Sequence, residues 1–186
     1  EVAREAIERG MNYFDTAPDY AATGSEQILG DAMKGVRDQV FLATKFCTPD
    51  GHLGPGSSVQ EYMDAVNASL QRLKTDHVDL VHIHSCNSVE RLLDENTHEA
   101  FDRLRDQGKV RFLGVSTHTP DLEEIANAAI DSDRFDVMML ASANTPSRMA
   151  RQQSSSSGDA RPSLVRRIDS PVAAAAEYRA SAEAKA

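Results

Sequence analysis

Cysteine is scarce in this chain. Only two cysteines, Cys47 and Cys86, occur among 186 residues, and they form neither a CxxC pair nor the spacing of a zinc site. This scarcity argues against a disulfide-stapled fold and a structural zinc domain, and both thiols are predicted to be unpaired. Such sparing use of cysteine is typical of a reducing compartment, so we expect a cytoplasmic protein.

Long apolar runs and an excess of basic residues are also missing. No run approaches the roughly 18–20 apolar residues of a transmembrane helix, and the net charge is −9. An acidic protein repels nucleic acid and anionic membranes, so we expect neither as a partner. The chain starts within a helical pattern at Glu1 instead of at a methionine, so we expect that further residues precede it.

Five apolar segments alternate with helical patterns. The segments start near residues 11, 40, 78, 110 and 135, and connections of this kind imply parallel strands joined by right-handed crossovers. A barrel and an open doubly wound sheet both fit. No glycine-rich phosphate loop follows the first strand, which weakens the open sheet. We therefore predict an α/β fold, a partial (β/α)8 TIM barrel of about five βα units.

Local sequence signals predict where helices begin and end. Ser58 and Glu61 have the spacing of a capping box, so a helix is expected to start there. Ser25 is a candidate cap for an earlier helix. The apolar spacing over residues 89–107 predicts one continuous helix.

The composition changes after Leu140. Residues 147–171 contain serines, arginines and almost no apolar side chains, and residues 172–186 are rich in alanine. We therefore predict two parts: a partial barrel over residues 1–140, and a low-complexity linker with an Ala-rich tail over residues 141–186 that is disordered or helical.

Four side chains that can act together follow the predicted strands. Asp15 ends the first strand, Tyr20 lies in the loop after it, Lys45 ends the second and His84 ends the third. A tyrosine is a weak acid with a pKa near 10, which an adjacent ammonium lowers. A carboxylate can hold that ammonium, and a histidine can hydrogen-bond a carbonyl oxygen. Such a group delivers a proton, but a reduction also needs an external hydride donor.

The segments around these residues resemble the aldo-keto reductases, (β/α)8-barrel oxidoreductases that reduce carbonyl compounds with NADPH or NADH. The resemblance implies that Tyr20 is the general acid, that Lys45 tunes it, that Asp15 holds Lys45 and that His84 orients the carbonyl. It also implies that Ser116 contacts the nicotinamide carboxamide, with NADP(H) or NAD(H) as cofactor and a small carbonyl compound as substrate. The matching segments, in the family's order, are Gly10–Ala17 with Tyr20, Gly24–Gly30, Ala43–Lys45, Leu73–His84 and Gly108–Ser116.

The sequence also departs from the family pattern. Thr117 stands where the family commonly has an asparagine, and Met139 stands where many members have a glutamine that binds the carboxamide. Matches to the family's first strand and last two strands are missing, together with the basic residues that bind the 2′-phosphate. We therefore expect a barrel fragment that binds NADPH poorly and that is inactive or weakly active alone.

Two other functions stay open at this point. His82 and His84, at i and i+2 on one strand, could ligate a metal in a TIM-barrel hydrolase, whereas the reductase interpretation predicts no metal ligands. A non-catalytic barrel fragment could instead self-associate or bind a partner through its unpaired strand edges. The sequence specifies neither the substrate nor the oligomeric state.

Overall fold

The computed structural model describes residues 1–141, and its helices and strands belong to one compact unit, Glu1–Ala141. The predicted linker and Ala-rich tail lie, from residue 142 onward, outside the described residues. The strands are β1 (Tyr13–Asp15), β2 (Phe41–Thr48), β3 (Gly51–His52), β4 (Val78–Ile83), β5 (Val110–Thr117) and β6 (Val137–Leu140). The α-helices are α1 (Val2–Glu8), α2 (Gly24–Ala32), α3 (Val59–Leu73), α4 (Val89–Leu92), α5 (Glu95–Asp106) and α6 (Leu122–Ser132).

Five of these strands pair in parallel and in chain order, β1-β2-β4-β5-β6. Right-handed crossovers between strands in strict chain order put all the helices on one face of the sheet. A doubly wound sheet instead reverses its strand order and carries helices on both faces. The observed order therefore excludes the open sheet and confirms the predicted partial barrel.

Each face of the sheet has its own apolar cluster. The helix-facing side chains of the strands pack against α3, α5 and α6 in the larger cluster, which includes Leu42, Val81, Leu113 and Val115 from the strands and Val66, Leu70, Phe101, Leu104 and Ile125 from the helices. On the opposite, concave face, Phe41, Ala43 and Leu80 form a smaller cluster with Phe112 and Val137. The Phe41 ring stacks between those of Tyr13 and Phe112, with centroid distances of 5.6 and 5.9 Å.

Asp79 ties the amino-terminal ends of three strands together. Its buried carboxylate accepts hydrogen bonds from Arg37 at 2.8 Å and Arg111 at 2.9 Å, and from the backbone N–H of Leu42 at 2.9 Å. Arg37 lies in a short 3-10 helix, Arg37–Gln39, that leads into β2. This network lies at the opposite end of the sheet from the predicted site residues.

The predicted capping box is confirmed. The backbone N–H of Glu61 donates to the Ser58 hydroxyl oxygen at 3.3 Å, and the backbone N–H of Ser58 donates to the Glu61 carboxylate at 2.7 Å. The prediction for Ser25 is wrong, because that residue lies inside α2 and its hydroxyl pairs with the Thr16 hydroxyl at 2.8 Å.

The continuous helix predicted over residues 89–107 is also wrong. The segment forms α4 and α5, which are separated at Leu93 and Asp94. The Asp94 carboxylate accepts from the backbone N–H of Thr97 at 3.2 Å and from the Tyr62 hydroxyl at 2.9 Å. Asp94 is therefore the N-cap of a new helix, α5. Its carboxylate satisfies a backbone N–H of the first turn, which has no partner within the helix.

The two cysteines are unpaired and buried, as the sequence predicted. None of the helices within residues 1–141 is long and apolar enough to cross a membrane.

Candidate active site

The carboxyl ends of neighbouring strands bring the predicted side chains to one edge of the sheet. Asp15 ends β1 and Lys45 lies in β2, while His84 directly follows β4 and Ser116 lies near the end of β5. In a parallel barrel these ends form the mouth, which is why residues distant in sequence meet there. The structure thus brings Asp15, Lys45 and His84 to the same edge, where the strand ends in the sequence had grouped them, and Ser116, which only the family resemblance had indicated, lies there too.

Lys45 is the buried cation of the site, with only 1% of its surface exposed. Its ammonium donates to the Asp15 carboxylate at 2.6 Å and to the backbone carbonyl of Thr16 at 2.8 Å. A buried charge needs such partners to offset its loss of hydration. Burial raises the pKa of the Asp15 carboxyl, and the hydrogen bond and charge of Lys45 partly oppose that shift. Asp15 and Lys45 therefore form one ion-paired unit.

Tyr20 lies against this unit. The Lys45 ammonium is 4.6 Å from the centroid of the Tyr20 ring, within the range of a cation–π contact. The tyrosine keeps 40% of its surface exposed, and its ring meets the His84 ring edge-on at a centroid distance of 6.1 Å. Tyr20 is thus the most solvent-accessible of the predicted catalytic side chains and faces two of the others.

The turn that follows Tyr20 has an unusual backbone. Ala21, Ala22 and Thr23 have φ angles of 50°, 48° and 73°, so three successive residues other than glycine adopt the left-handed conformation. Each costs of order 1 kcal/mol or more, and such residues persist only where the surrounding structure fixes them. The turn connects Tyr20 directly to α2, which begins at Gly24.

His84 faces a different partner with each ring nitrogen. Nδ1 lies 3.3 Å from the Ser116 hydroxyl oxygen, and Nε2 lies 3.6 Å from Oδ2 of Asp19. Burial, followed by the charges of His52 and Lys45, lowers the pKa of His84 to about 4, with Asp19 opposing. The imidazole is therefore neutral near pH 7 and can either donate or accept at Nε2.

Two residues beside His84 were missed by the sequence analysis. His52 lies on the short strand β3, and Asp19 directly precedes Tyr20. The Nε2 atom of His52 is 3.4 Å from Oδ2 of Asp19, and the rings of His52 and His84 are 4.4 Å apart. What brings His52 to this position is the pairing of β2 with β3 through Cys47 and His52, which the sequence does not signal.

Cys47 holds one oxygen of the Asp19 carboxylate. Its buried thiol donates to Oδ1 of Asp19 at 3.6 Å. Burial, followed by the Asp19 charge, raises the pKa of Cys47 to about 12, so the thiol stays protonated and keeps its role as donor. The other carboxylate oxygen, Oδ2, is the one that faces the two histidines.

His82 is a neutral residue of the barrel interior. It is fully buried, and Nε2 lies 3.8 Å from Oδ1 of Asp15. Burial, then the charges of Lys45 and His84, lowers the pKa of His82 to about 3. Within residues 1–141 neither ring nitrogen has a hydrogen-bond partner, and His82 joins no group of three side chains that could hold a metal ion.

The predicted cofactor side of the site is formed by β5 and β6. Ser116 pairs in register with Met139, so the two departures noted in the sequence flank the predicted contact residue. The hydroxyl of Thr117 is turned away, because it donates to the backbone carbonyl of Cys86. Ser116 is the hydroxyl that lies beside His84.

The parallel strand order identifies the chain as part of a (β/α)-barrel protein, and Asp15, Lys45, Tyr20 and His84 form a group at the carboxyl ends of its strands. The model of the Aldo/keto reductase family matches residues 1–154. This chain belongs to the aldo/keto reductase family, as its motifs predicted. The family match and the geometry of His82 both argue against the metal-dependent hydrolase that was considered for His82 and His84.

Relatives of known sequence and structure agree with this assignment. The uncharacterized oxidoreductase YqkF of Bacillus subtilis is 41% identical over 122 residues, which cover 63% of this chain and 39% of that protein. An aldo-keto reductase from Bacillus halodurans, solved in its holo form, is 31% identical with a TM-score of 0.61, over 76% of this chain and 47% of that one. An aldo/keto reductase from Klebsiella pneumoniae, solved with NADP and acetate, is 30% identical with a TM-score of 0.57, over 74% and 46%. The chain thus spans less than half the length of each of these relatives.

Proposed function

We propose that this chain carries the proton-donating part of an NAD(P)H-dependent oxidoreductase that reduces an aldehyde or ketone. The observation that supports this most is the position of the Lys45 ammonium, which pairs with Asp15 and lies 4.6 Å from the Tyr20 ring, with His84 at the edge of that ring. An acid, a buried cation beside it and a second hydrogen-bonding group are what carbonyl reduction requires of a protein.

Tyr20 supplies the proton in this proposal. A carbonyl oxygen gains negative charge as a hydride adds to its carbon, and the Tyr20 hydroxyl protonates that oxygen to give the alcohol. The buried Lys45 charge stabilises the phenolate that remains, and it acts in a site of low dielectric where such an interaction is strong. Asp15 keeps Lys45 in place and lets the ammonium stay charged without water.

His84 orients the carbonyl group. The Ser116 hydroxyl can donate to Nδ1 of His84, which leaves Nε2 protonated. Nε2 can then donate to the substrate oxygen in place of Oδ2 of Asp19, which lies 3.6 Å away. That hydrogen bond would hold the oxygen near Tyr20, whose ring contacts His84 edge-on. The low pKa of His84 keeps the histidine from competing with Tyr20 as the acid near neutral pH.

The residues around Ser116 fit the nicotinamide end of the cofactor. Ser116 offers a hydroxyl beside His84 at the carboxyl end of β5, where an amide group of a ligand would find a polar partner. When bound, NADPH or NADH supplies the hydride that the side chains of this chain cannot provide. The Klebsiella pneumoniae relative contains NADP, which supports the same cofactor class here.

Replacing Tyr20 with phenylalanine tests the proposal. The test is made in a chain extended to the complete barrel. There Tyr20→Phe removes only the hydroxyl, so turnover of a panel of small aldehydes and ketones is expected to fall by about 10²–10⁴-fold, the usual contribution of a general acid. Turnover is followed as loss of NADPH absorbance. NADPH binding, followed by the fluorescence of the reduced nicotinamide, should stay unchanged.

Tyr13→Phe is the matched control. Tyr13 has nearly the same exposed fraction, 42% against 40% for Tyr20, and stacks on Phe41, whereas the cation–π contact of Lys45 is with Tyr20. Its loss should leave turnover unaltered. Equal turnover of Tyr20→Phe and the wild type would refute the assigned role. NADPH binding without any turnover in the wild type would favour the non-catalytic alternative.

A further inference from the structure

Asp19, His52 and His84 bring three potential metal ligands to one point beside Tyr20. One oxygen of Asp19, Oδ2, faces Nε2 of His52 at 3.4 Å and Nε2 of His84 at 3.6 Å. All three donor atoms lie within 4.8 Å of one another. The three residues come from separate segments: the loop after β1, the short strand β3, and the end of β4.

These distances match a tetrahedral zinc site. Zn–N and Zn–O bonds of about 2.0–2.2 Å at a tetrahedral angle put two donor atoms about 3.3–3.5 Å apart. Both distances to Asp19 are close to that value. The Nε2 atoms of His52 and His84 must reach the same separation from each other. His52 can turn toward His84, because it lies on a two-residue strand and 36% of its side chain is exposed.

The surroundings of the ligands favour binding as well. The Cys47 thiol holds Oδ1 of Asp19 at 3.6 Å, so Oδ2 is left for an ion. The Ser116 hydroxyl can donate to the backbone carbonyl of Ile83 at 3.4 Å and accept from Nδ1 of His84 at 3.3 Å. In that tautomer, which an ion would select, Nε2 of His84 presents its lone pair on the side that faces Oδ2 of Asp19. Both atoms can then bind the same cation.

We propose that Asp19, His52 and His84 form a binding site for a divalent zinc-class ion, with a fourth position open to water. The ion would use the same Nε2 atom of His84 that a substrate carbonyl needs, so an ion and a carbonyl compound exclude each other at that atom. Binding of the ion itself does not depend on the reductase function. The site can therefore be tested without substrate or nicotinamide.

The test is a titration of the full chain, purified without a histidine tag and treated with chelator. Co²⁺ is added as a zinc substitute and followed by its visible absorption, which is strong for tetrahedral ions, and Zn²⁺ is added in competition. We expect one equivalent of saturable binding. His52→Gln and Asp19→Asn should each weaken it by at least about tenfold, because each replaces an imidazole or carboxylate ligand with a neutral amide that binds zinc-class ions weakly.

His77→Gln is the matched control, since His77 also pairs with a carboxylate, Asp76 at 2.7 Å, but without a third ligand among the described residues. It should bind Co²⁺ like the wild type. Circular dichroism of the metal-free variants verifies that each is folded. The absence of saturable binding by the wild type would overturn the proposal, and so would wild-type affinity in either His52→Gln or Asp19→Asn.

Discussion

At the scale of single residues, His82 depends on a glycine in the neighbouring strand. His82 and Gly114 are register partners on β4 and β5. A Cβ atom on residue 114 would collide with Nδ1 of His82, and it would lie 2.7 Å from Cε1 and 3.1 Å from the backbone oxygen of Val137. Because His82 is fully buried, its ring cannot turn out into solvent to make room for such an atom.

Gly114→Ala is therefore expected to destabilise the fold by about 1–3 kcal/mol, the usual cost of overpacking. Urea unfolding measures the change. In a His82→Ala background the same substitution should cost clearly less, because the ring that it meets is gone. Equal costs in the two backgrounds would show that the ring does not create the constraint.

The sequence predicted the grouping of Asp15, Lys45 and His84 because each follows or ends a parallel strand, and parallel strands align their carboxyl ends, whereas Ser116 was predicted only from the family resemblance. Asp19 and His52 could not be predicted in the same way. Their approach to His84 depends on the left-handed turn after Tyr20 and on the pairing of β3 with β2, and neither leaves a periodic pattern in the sequence.

At the scale of elements, the five parallel strands start at residues 13, 41, 78, 110 and 137, each within two residues of its predicted start. Apolar runs bounded by helical patterns determine these positions strongly. The division between α4 and α5 was missed because Asp94 fits an amphipathic helix as well as it fits a cap. The contact with Tyr62, 32 positions away, is what selects the cap.

His98 links α5 to the ends of two other helices. Arg134, just after α6, donates to Nδ1 of His98 at 3.4 Å, and Nε2 donates to the backbone carbonyl of Leu92, the last residue of α4, at 2.9 Å. Together these two hydrogen bonds need a neutral imidazole. Burial is the main cause that lowers the pKa of His98.

This pKa shift predicts a loss of stability in acid. The unfolded chain takes up the His98 proton near its ordinary pKa of about 6.5, whereas the folded chain takes it up only at lower pH. The contribution is fully present above about pH 6.5 and falls as the pH decreases through the folded pKa. Urea unfolding above and below that pH should show a larger loss for the wild type than for His98→Gln.

The comparison isolates His98, because the other shifted histidines are the same in both chains. The glutamine introduced by His98→Gln keeps a donor for the Leu92 carbonyl and cannot titrate in this range. Parallel pH profiles for the two chains would mean that His98 does not contribute to the acid sensitivity.

At the scale of the whole molecule, Asp79 is the one carboxylate described here that joins β2, β4 and β5. Asp79→Ala is expected to destabilise the unit by about 3 kcal/mol, because it leaves two arginines and a buried backbone N–H without their acceptor. Asp79→Asn should cost less, since its side-chain oxygen can still accept from Leu42. Thermal and urea unfolding measure both changes.

The exposed Asp76 provides a control for this prediction, since it lies three positions earlier and pairs with His77. Asp76→Asn should leave the unfolding midpoint almost unchanged, as expected for a surface pair. A similar midpoint for Asp79→Ala and Asp76→Asn would show that the network at the strand ends does not hold the sheet together.

The pairing of the parallel strands in chain order also affects how the sheet can form during synthesis on the ribosome. Among the described strands, each parallel strand after β1 pairs with the parallel strand that precedes it along the chain, so its partner has already been synthesised. Closing each successive loop costs a similar entropy, whatever the length already made. Folding can therefore advance with translation from the amino terminus, and the newest strand is always the edge that awaits the next one.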